Sequence, residues 1–368
     1  MGKSKPTTIR EVARLARVSP ATVSRMINGS DHVSSETGER ILAAIEKTGY
    51  KPVKRGWSLK REEAGLVGLL IPYYDKRLYC DLAVAIADRL RVFGYGLILC
   101  VSQDDAAIEH AYLGVLREKG VDGIIYSHAG HGSNSELVRK MATEGVPIVE
   151  LVRRRQEDLL DAVVIDDAGG AYLMTNYLIG RGHRRIALVG GSPDLWPRQH
   201  RLEGYTRALT HAGLSVDPEL IRSGPHSLEQ AAEVTEGLLD LPDPPTAIFS
   251  ISVRALLGAL DAIRRRGLRI PDDVSISTFE DLDWLAVHTP PITSISVPVQ
   301  GLANAAFGLL EDRIVHPDSQ RKPDCLFLST HLYERQSCSD LRGIQRLAVH
   351  GTRMDYAHVG DTDADSER

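Results

Sequence analysis

The residues with the most evident chemistry lie between positions 19 and 28, and seven of them are candidates for contact with DNA: Ser19, Pro20, Ala21, Thr22, Ser24, Arg25 and Asn28. The short polar groups of Ser19, Ser24 and Asn28 can hydrogen-bond to phosphates at the edge of a groove. Arg25 can bind O6 and N7 of guanine through two hydrogen bonds, or a single phosphate. The proline and alanine can contact thymine methyl groups or respond to duplex shape.

The charge distribution supports this interpretation. Residues 1–61 carry 13 Lys and Arg against 5 Asp and Glu, whereas the rest of the 368 residues carries 31 against 44. A small basic head on a large acidic body predicts a polyanion-binding module joined to a part that does not bind polyanions.

Catalytic and metal-binding patterns are lacking in the sequence. It contains no GxSxG, HExxH, GxGxxG or P-loop motif, and its acidic and histidine residues form no catalytic set by spacing. His128 and His131 could bind a metal from one loop, but two histidines are half a site, and a polar loop is the alternative. The four cysteines are far apart and predict reduced thiols. We therefore expect no enzyme, no metal and no cofactor.

Three short helices position the polar residues of the head. Thr8 and Glu11 fit a capping box at the start of the first helix, and Ser19-Pro20 fits the start of a second helix that ends at Asn28-Gly29. A third helix follows Ser34. Two helices joined by so short a turn, within a basic three-helix unit, predict a helix-turn-helix; a generic helical bundle is the alternative.

From residue 65 onward, short apolar runs alternate with amphipathic segments. The runs predict buried strands at 65–71, 95–101, 121–126, 146–151, 162–166, 184–191, 246–252 and 273–279. The segments between them predict helices at 80–93, 105–119, 168–181, 200–212, 227–240 and 253–266. This alternation indicates an α/β fold with parallel sheets, arranged as one doubly wound sheet or as two lobes. Ligands of such folds bind beyond the carboxyl ends of the strands.

The head resembles the DNA-binding domain of the LacI/GalR family of bacterial transcription regulators, in residues 8–28, in Val33-Ser34 and in Tyr50-Lys51-Pro52. Gly190-Gly191, Arg201–Tyr205 and Pro271–Ser275 look like the effector domain of that family. The resemblance implies a body similar to type I periplasmic binding proteins, with two lobes around a cleft and three crossings of the chain between them.

Four segments follow from this resemblance. Residues 7–50 form the helix-turn-helix domain, residues 51–63 a hinge, residues 64–337 the two-lobed ligand-binding and dimerisation domain, and residues 338–368 a disordered tail. In the family a leucine of the hinge inserts into the minor groove, and Leu59 matches it in position. Gly56 and Trp57 depart from the family pattern nearby, and Gly56 lowers helix propensity by roughly 1 kcal/mol relative to alanine.

The resemblance also implies an effector site with seven candidate residues: Lys76, Leu78, Tyr79, Arg153, Arg201, Ser252 and Glu280. Val152 and Val253 stand where the family usually has polar residues that accept hydrogen bonds from a sugar. Arg201 keeps the position of the ligand-contacting arginine. Together with Lys76 and Arg153 it favours an anionic effector, such as a sugar acid or a phosphorylated sugar. Solvated surface charge is the alternative for Lys76, for Arg77 and for the run Arg153–Arg155.

The sequence therefore predicts a homodimeric, cytoplasmic transcription regulator. We expect it to repress by binding a pseudo-palindromic operator in double-stranded DNA, under the control of a small molecule in the cleft, without a membrane partner. Three alternatives remain: a solute-binding protein, an enzymatic body fused to a DNA-binding head, and a family member without small-molecule control. No signal peptide is evident at the start of this sequence, and the head is basic, so both features count against the solute-binding protein.

Overall fold

The computed structural model describes residues 9–27, 35–48, 65–130, 134–155, 159–224, 227–317 and 321–342. It begins with three helices: α1 (Ile9–Ala16), α2 (Pro20–Ile27) and α3 (Ser35–Thr48). At the end of α1, Arg17 adopts a left-handed backbone with φ 56°, and the amide of Val18 donates to the carbonyl of Ala13 at 3.0 Å. This tight ending allows α2 to begin three residues after α1 stops. The predicted helix-turn-helix is confirmed.

A small apolar core holds the head together. Its residues are at most 6% exposed and come from all three helices: Val12, Ala13, Ala16, Val23, Ile41, Ala44 and Ile45. The guanidinium of Arg40 also donates to the carbonyl of Ala16, which ties α3 to the end of α1.

The body alternates strands and helices in the order β1 (Leu66–Ile71), α4 (Arg77–Val92), β2 (Gly96–Val101), α5 (Ala106–Glu118), β3 (Gly123–Tyr126), α6 (Ser135–Thr143), β4 (Ile148–Leu151), β5 (Asp161–Ile165), α7 (Asp167–Gly180), β6 (Ile186–Val189), α8 (Trp196–His211), β7 (Ile221–Arg222), α9 (Leu228–Leu239), β8 (Ala247–Ser250), α10 (Val253–Arg265), β9 (Ser275–Phe279), α11 (Asp283–Val287), β10 (Thr293–Ser296), α12 (Val299–Val315), β11 (Cys325–Leu328) and β12 (His331–Tyr333).

The strands form two six-stranded sheets, one in each lobe. The first has the order β11-β5-β4-β3-β1-β2 and is parallel throughout. The second has the order β12-β10-β9-β8-β6-β7 and is parallel except for β12, which runs antiparallel to β10. Most central strands are buried along their whole length, as expected when helices cover both faces of a parallel sheet.

The chain crosses between the lobes three times. It leaves the first sheet after β5, returns after β10 through α12, and leaves again between β11 and β12. Helix α12 packs against α4 and against strands of the first sheet. The two-lobed architecture implied by the family resemblance is therefore confirmed, and the single doubly wound sheet is excluded.

All eight predicted strands and all six predicted helices of the body are present. The sequence analysis missed the last three strands and β7, together with α6, α11 and α12. The packed body also continues beyond residue 337. Cys338 is buried, and the amide of Leu341 donates to the carbonyl of Arg181 at 2.7 Å. The predicted hinge, and residues 343–368 of the predicted tail, lie outside the described residues.

None of the helices in the described part of the chain is long and apolar enough to cross a membrane.

Candidate functional site

Helix α2 carries most of the residues predicted to contact DNA. Its N-cap is Ser19, whose Oγ accepts a hydrogen bond from the amide of Thr22 at 3.0 Å. Ser19 and Pro20 are exposed at the start of the helix, and the two hydroxyls of Ser19 and Thr22 are 2.8 Å apart. Ala21, Ser24 and Arg25 follow on the same helix. Asn28 and Leu59 lie outside the described residues, so their DNA contacts stay predictions.

Six of the seven candidate effector residues follow the carboxyl ends of strands in the two lobes, and the seventh lies on a helix. Lys76, Leu78 and Tyr79 follow β1, Arg153 follows β4, Ser252 follows β8, Glu280 follows β9, and Arg201 lies on α8. Val152 and Glu280 have left-handed backbones with φ 66° and 79°. Such conformations are costly for residues other than glycine and cluster at binding sites.

In the first lobe, Arg153 is held by an acidic partner. Its side chain is 3% exposed, and Nη1 donates to Oδ1 of Asp104 and to the carbonyl of His128 at 2.7 Å. Tyr73 donates its hydroxyl to the other oxygen of Asp104 at 2.7 Å. Burial raises the pKa of Asp104, but the guanidinium of Arg153 and the hydrogen bonds outweigh it and hold that pKa below its usual value. Asp104 is therefore ionised.

Lys76, Leu78 and Tyr79 differ in their surroundings. Leu78 and Tyr79 are buried, and the Tyr79 hydroxyl lies 3.2 Å from Oγ of Ser127, so both residues shape the wall of the first lobe. Lys76 is exposed, with Nζ 3.6 Å from the centroid of the Tyr73 ring. Desolvation of the ammonium group and the nearby charge of Arg153 lower the pKa of Lys76 to about 8.

In the second lobe, Arg201 is also held by an acidic partner. Its Nε donates to Oδ1 of Asp167 at 2.7 Å and its Nη1 to the carbonyl of Ile251 at 2.6 Å. The guanidinium lies over the ring of Phe279, 3.8 Å from the centroid. These three contacts fix its orientation.

Glu280 faces charges from both lobes. Burial raises its pKa, whereas Arg201 of the second lobe and Lys76 of the first lobe oppose that rise. Neighbouring Ser252 caps α10, since its Oγ accepts a hydrogen bond from the amide of Ala255 at 3.2 Å. The lobes also approach each other where Arg154 lies 5.9 Å from the Trp196 ring. The arrangement can bind a small polar molecule enclosed between the two lobes.

Comparison with known proteins decides the family. Residues 8–53 match the model of bacterial regulatory proteins of the lacI family, and residues 175–338 match a periplasmic binding protein-like domain. The HTH-type transcriptional regulator DegA of Bacillus subtilis is 32% identical over 296 residues, which cover 80% of this chain and 87% of DegA. The chain belongs to the LacI family. It is a DNA-binding transcription regulator, as the sequence predicted.

Two further LacI-family proteins are similar to this chain over most of its length. The HTH-type transcriptional repressor CytR of Escherichia coli K12 is 32% identical over 316 residues, which cover 83% of this chain and 89% of CytR. The solved complex of the regulator CelR with cellobiose has a TM-score of 0.67 and 31% identity, covering 90% of this chain and 99% of CelR.

Sequence reasoning missed the acidic partners of this LacI-family site. Asp104 lies in the loop after β2, which the strand rule had marked as a candidate binding surface without singling out a residue. Asp167 begins α7 after β5, and no motif distinguishes it from the adjacent Asp166. The described residues contain no group of three or more His, Cys, Asp or Glu that could hold a metal ion. His131 of the weighed histidine pair lies outside them.

Proposed function

We propose that this LacI-family protein is a repressor that binds a pseudo-palindromic operator as a homodimer in the bacterial cytoplasm. A small molecule in the cleft between its lobes controls that binding. The protein binds and releases this molecule without converting it chemically. The observation that carries this proposal is the convergence of Lys76 and Arg153 from one lobe with Arg201 and Glu280 from the other. The name of CytR as a repressor and the cellobiose complex of CelR support it.

The convergence of the two lobes explains how a ligand can control the head. A molecule that contacts side chains of both lobes binds best when the lobes hold one particular orientation. Because the head is joined to the first lobe through residues 49–64, a change in lobe orientation within a dimer alters the separation of the two heads. The coupling free energy equals the ligand's difference in affinity for the two states, typically about 1–3 kcal/mol.

The chemistry of the cleft indicates the class of effector. Carboxylates and guanidinium groups offer several hydrogen-bond acceptors and donors within a small volume, which suits a polyhydroxylated molecule. We propose a sugar that carries an anionic group, either a sugar acid or a phosphorylated sugar, as the effector. All seven residues named above for the effector site belong to this proposal, with Leu78, Tyr79 and Ser252 shaping its walls.

The test of DNA recognition uses Arg25. We expect Arg25→Ala to weaken binding to an operator selected from random duplexes by about 1–3 kcal/mol, a 5- to 150-fold loss, and to change binding to random DNA little, because a guanine contact is lost. Fluorescence anisotropy with both duplexes measures the two losses. Arg14→Ala is the matched control, since it removes the same charge from α1 and should affect both duplexes equally.

Equal losses on both duplexes for Arg25→Ala would show that this arginine holds a phosphate.

A second experiment tests the small-molecule control. It measures whether any member of a panel of neutral and anionic sugars releases the protein from the selected operator. A panel without any effect on operator binding would favour a regulator that does not respond to small molecules.

The proposed homodimer has a candidate surface at the β2 edge of the first lobe. Four large apolar side chains are exposed there, on α4, β2 and α5: Val84 (63%), Leu99 (48%), Tyr112 (36%) and Val115 (44%). An exposed strand edge flanked by apolar side chains favours association with a second copy. We expect sedimentation to give a dimer for the wild-type protein and monomers for Leu99→Asp, because a charge at the centre of an apolar interface is costly. An unchanged dimer in the variant would place the interface elsewhere.

A further inference from the structure

Three buried arginines lie near the carboxyl ends of strands that border the cleft, and one of them forms no ion pair with a carboxylate of the described residues. Arg153, Arg198 and Arg201 are 2%, 4% and 6% exposed. Arg153 pairs with Asp104 and Arg201 with Asp167, whereas no carboxylate of the described residues forms an ion pair with Arg198. Buried charges in proteins are normally paired or bind a ligand. Arg198 is therefore the cation of this region whose counter-ion is missing from the described chain.

Arg198 lies in the first turn of α8, at the carboxyl end of β6. Its aliphatic stem crosses Gly191, where a Cβ atom would come within 2.8 Å of Cδ of the arginine. Nη2 donates to Oγ of Ser223 at 3.1 Å, and Nε is buried without a hydrogen-bond partner. Burial lowers the pKa of Arg198 with no nearby acid to oppose it. A guanidinium nevertheless stays protonated in proteins, so the charge is retained.

The backbone next to Arg198 also favours an anion. A Cβ on Gly190 would lie 2.9 Å from Oγ of Ser252, so the Gly190-Gly191 turn adjoins the start of α10. The first amides of this 13-residue helix carry the positive end of its dipole. An arginine, a serine hydroxyl and a helix N-terminus therefore all adjoin this turn, Arg198 through its aliphatic stem at Gly191 and Ser252 through its Oγ at Gly190. All three are groups that bind carboxylates and phosphates.

The pairing of the other charged residues of the cleft also singles out Arg198. The carboxylates of Asp104 and Asp167 offset Arg153 and Arg201, and Glu280 faces Lys76. Of the three buried arginines, Arg198 is the one that forms no ion pair with a carboxylate of the described residues.

We propose that Arg198 binds the anionic group of the effector, a carboxylate or a phosphate, at the carboxyl end of β6. This inference rests on the proposed function, and it identifies the residue that distinguishes an anionic effector from a neutral sugar. Ser223 orients the guanidinium, and the unpartnered Nε supplies a further donor. Arg201 remains engaged with Asp167 and contacts the uncharged part of the ligand.

Because the buried charge of Arg198 is unpaired, the proposal predicts that removing it raises the thermal stability of the protein. In the absence of an anion, the desolvated guanidinium destabilises the folded protein. Arg198→Met keeps the apolar stem over Gly191 and removes the charge. We therefore expect the variant to unfold at a higher temperature than the wild-type protein in chloride, by about 2 °C. An arginine with a merely structural role would give the opposite change.

The experiment measures thermal unfolding of the full chain at constant ionic strength in chloride, inorganic phosphate, gluconate, glucose 6-phosphate or glucose. For the wild-type protein we expect at least one anion to raise the midpoint by about 2 °C or more over chloride or glucose, by mass action. A rise in the midpoint with phosphate alone would identify a site for the free ion. A larger rise with glucose 6-phosphate than with phosphate would identify a sugar phosphate as the effector class, and a rise with gluconate would identify a sugar acid. The rise should be absent in Arg198→Met and retained in Arg207→Met, which removes an exposed arginine from the same helix.

Three results would overturn the assignment: no anion stabilises the wild-type protein, the stabilisation survives in Arg198→Met, or that variant unfolds at a lower temperature in chloride. Stabilisation by glucose alone would refute the anion site and leave the cleft as an effector site. Operator binding by the wild-type protein, measured without ligand on the same preparation, reports on the proposed DNA-binding function separately.

Discussion

Asp167→Ala is expected to lower the free energy of unfolding by about 3–5 kcal/mol, because it leaves a buried guanidinium without its partner. The side chains of Arg201 and Asp167 are 7% and 0% exposed, and Nε lies 2.7 Å from Oδ1. Once Asp167 is removed, Arg201 keeps its contacts with the Ile251 carbonyl and the Phe279 ring, and Glu280 is nearby but forms no ion pair with it among the described residues. Urea unfolding at a fixed pH measures the loss.

Two further variants separate the buried charge from other effects. The double variant Asp167→Ala, Arg201→Leu should recover part of the loss, because it removes the unpaired charge along with its partner. Asp81→Ala breaks the exposed pair with Arg77, whose side chain is 59% exposed, and should cost less than about 1 kcal/mol. A double variant no more stable than Asp167→Ala would show that the unpaired charge of Arg201 does not cause the loss.

The fold could be predicted from local patterns wherever a strand is buried on both faces. The run 246–252, and the run 184–191 from Ile186 onward, consist only of apolar or small residues, and they form β8 and β6. Three of the four missed strands lack this signal for physical reasons. β7 has two residues, and β11 and β12 are edge strands with exposed side chains such as Phe327. Their positions depend on tertiary pairing, which a window of sequence does not contain.

The sequence predicted which residues lie at the candidate site, but it did not predict which acidic residue pairs with each arginine. The rule that ligands bind at carboxyl strand ends, with the family resemblance, placed Arg153 and Glu280 at the cleft. Whether each arginine is paired depends on loops that are distant in sequence, since Asp104 is 49 residues from Arg153 and Asp167 is 34 residues from Arg201. The lack of an acidic partner at Arg198 became evident only once those two pairs were known.

The position of α8, which carries Arg198 and Arg201, depends on a glycine. A Cβ on Gly204 would lie 2.1 Å from the carbonyl oxygen of Ala168 and 2.9 Å from the amide of Tyr172, both backbone atoms of α7. Backbone atoms cannot move aside as a flexible side chain can, so the two helices would have to separate. We expect Gly204→Ala to destabilise the protein by about 3 kcal/mol. Chemical unfolding measures the loss.

Gly308→Ala in α12 is the matched control, because a Cβ there would meet no atom within 4 Å. Alanine has the higher helix propensity, so this variant should gain up to about 1 kcal/mol of stability. Opposite signs for one substitution in two helices would show that close packing of α7 on α8, and not helix propensity, sets the cost at Gly204. A Gly204→Ala variant as stable as wild type would mean that α8 can shift without loss, and a helix so free could not hold Arg201 against both Asp167 and the Ile251 carbonyl.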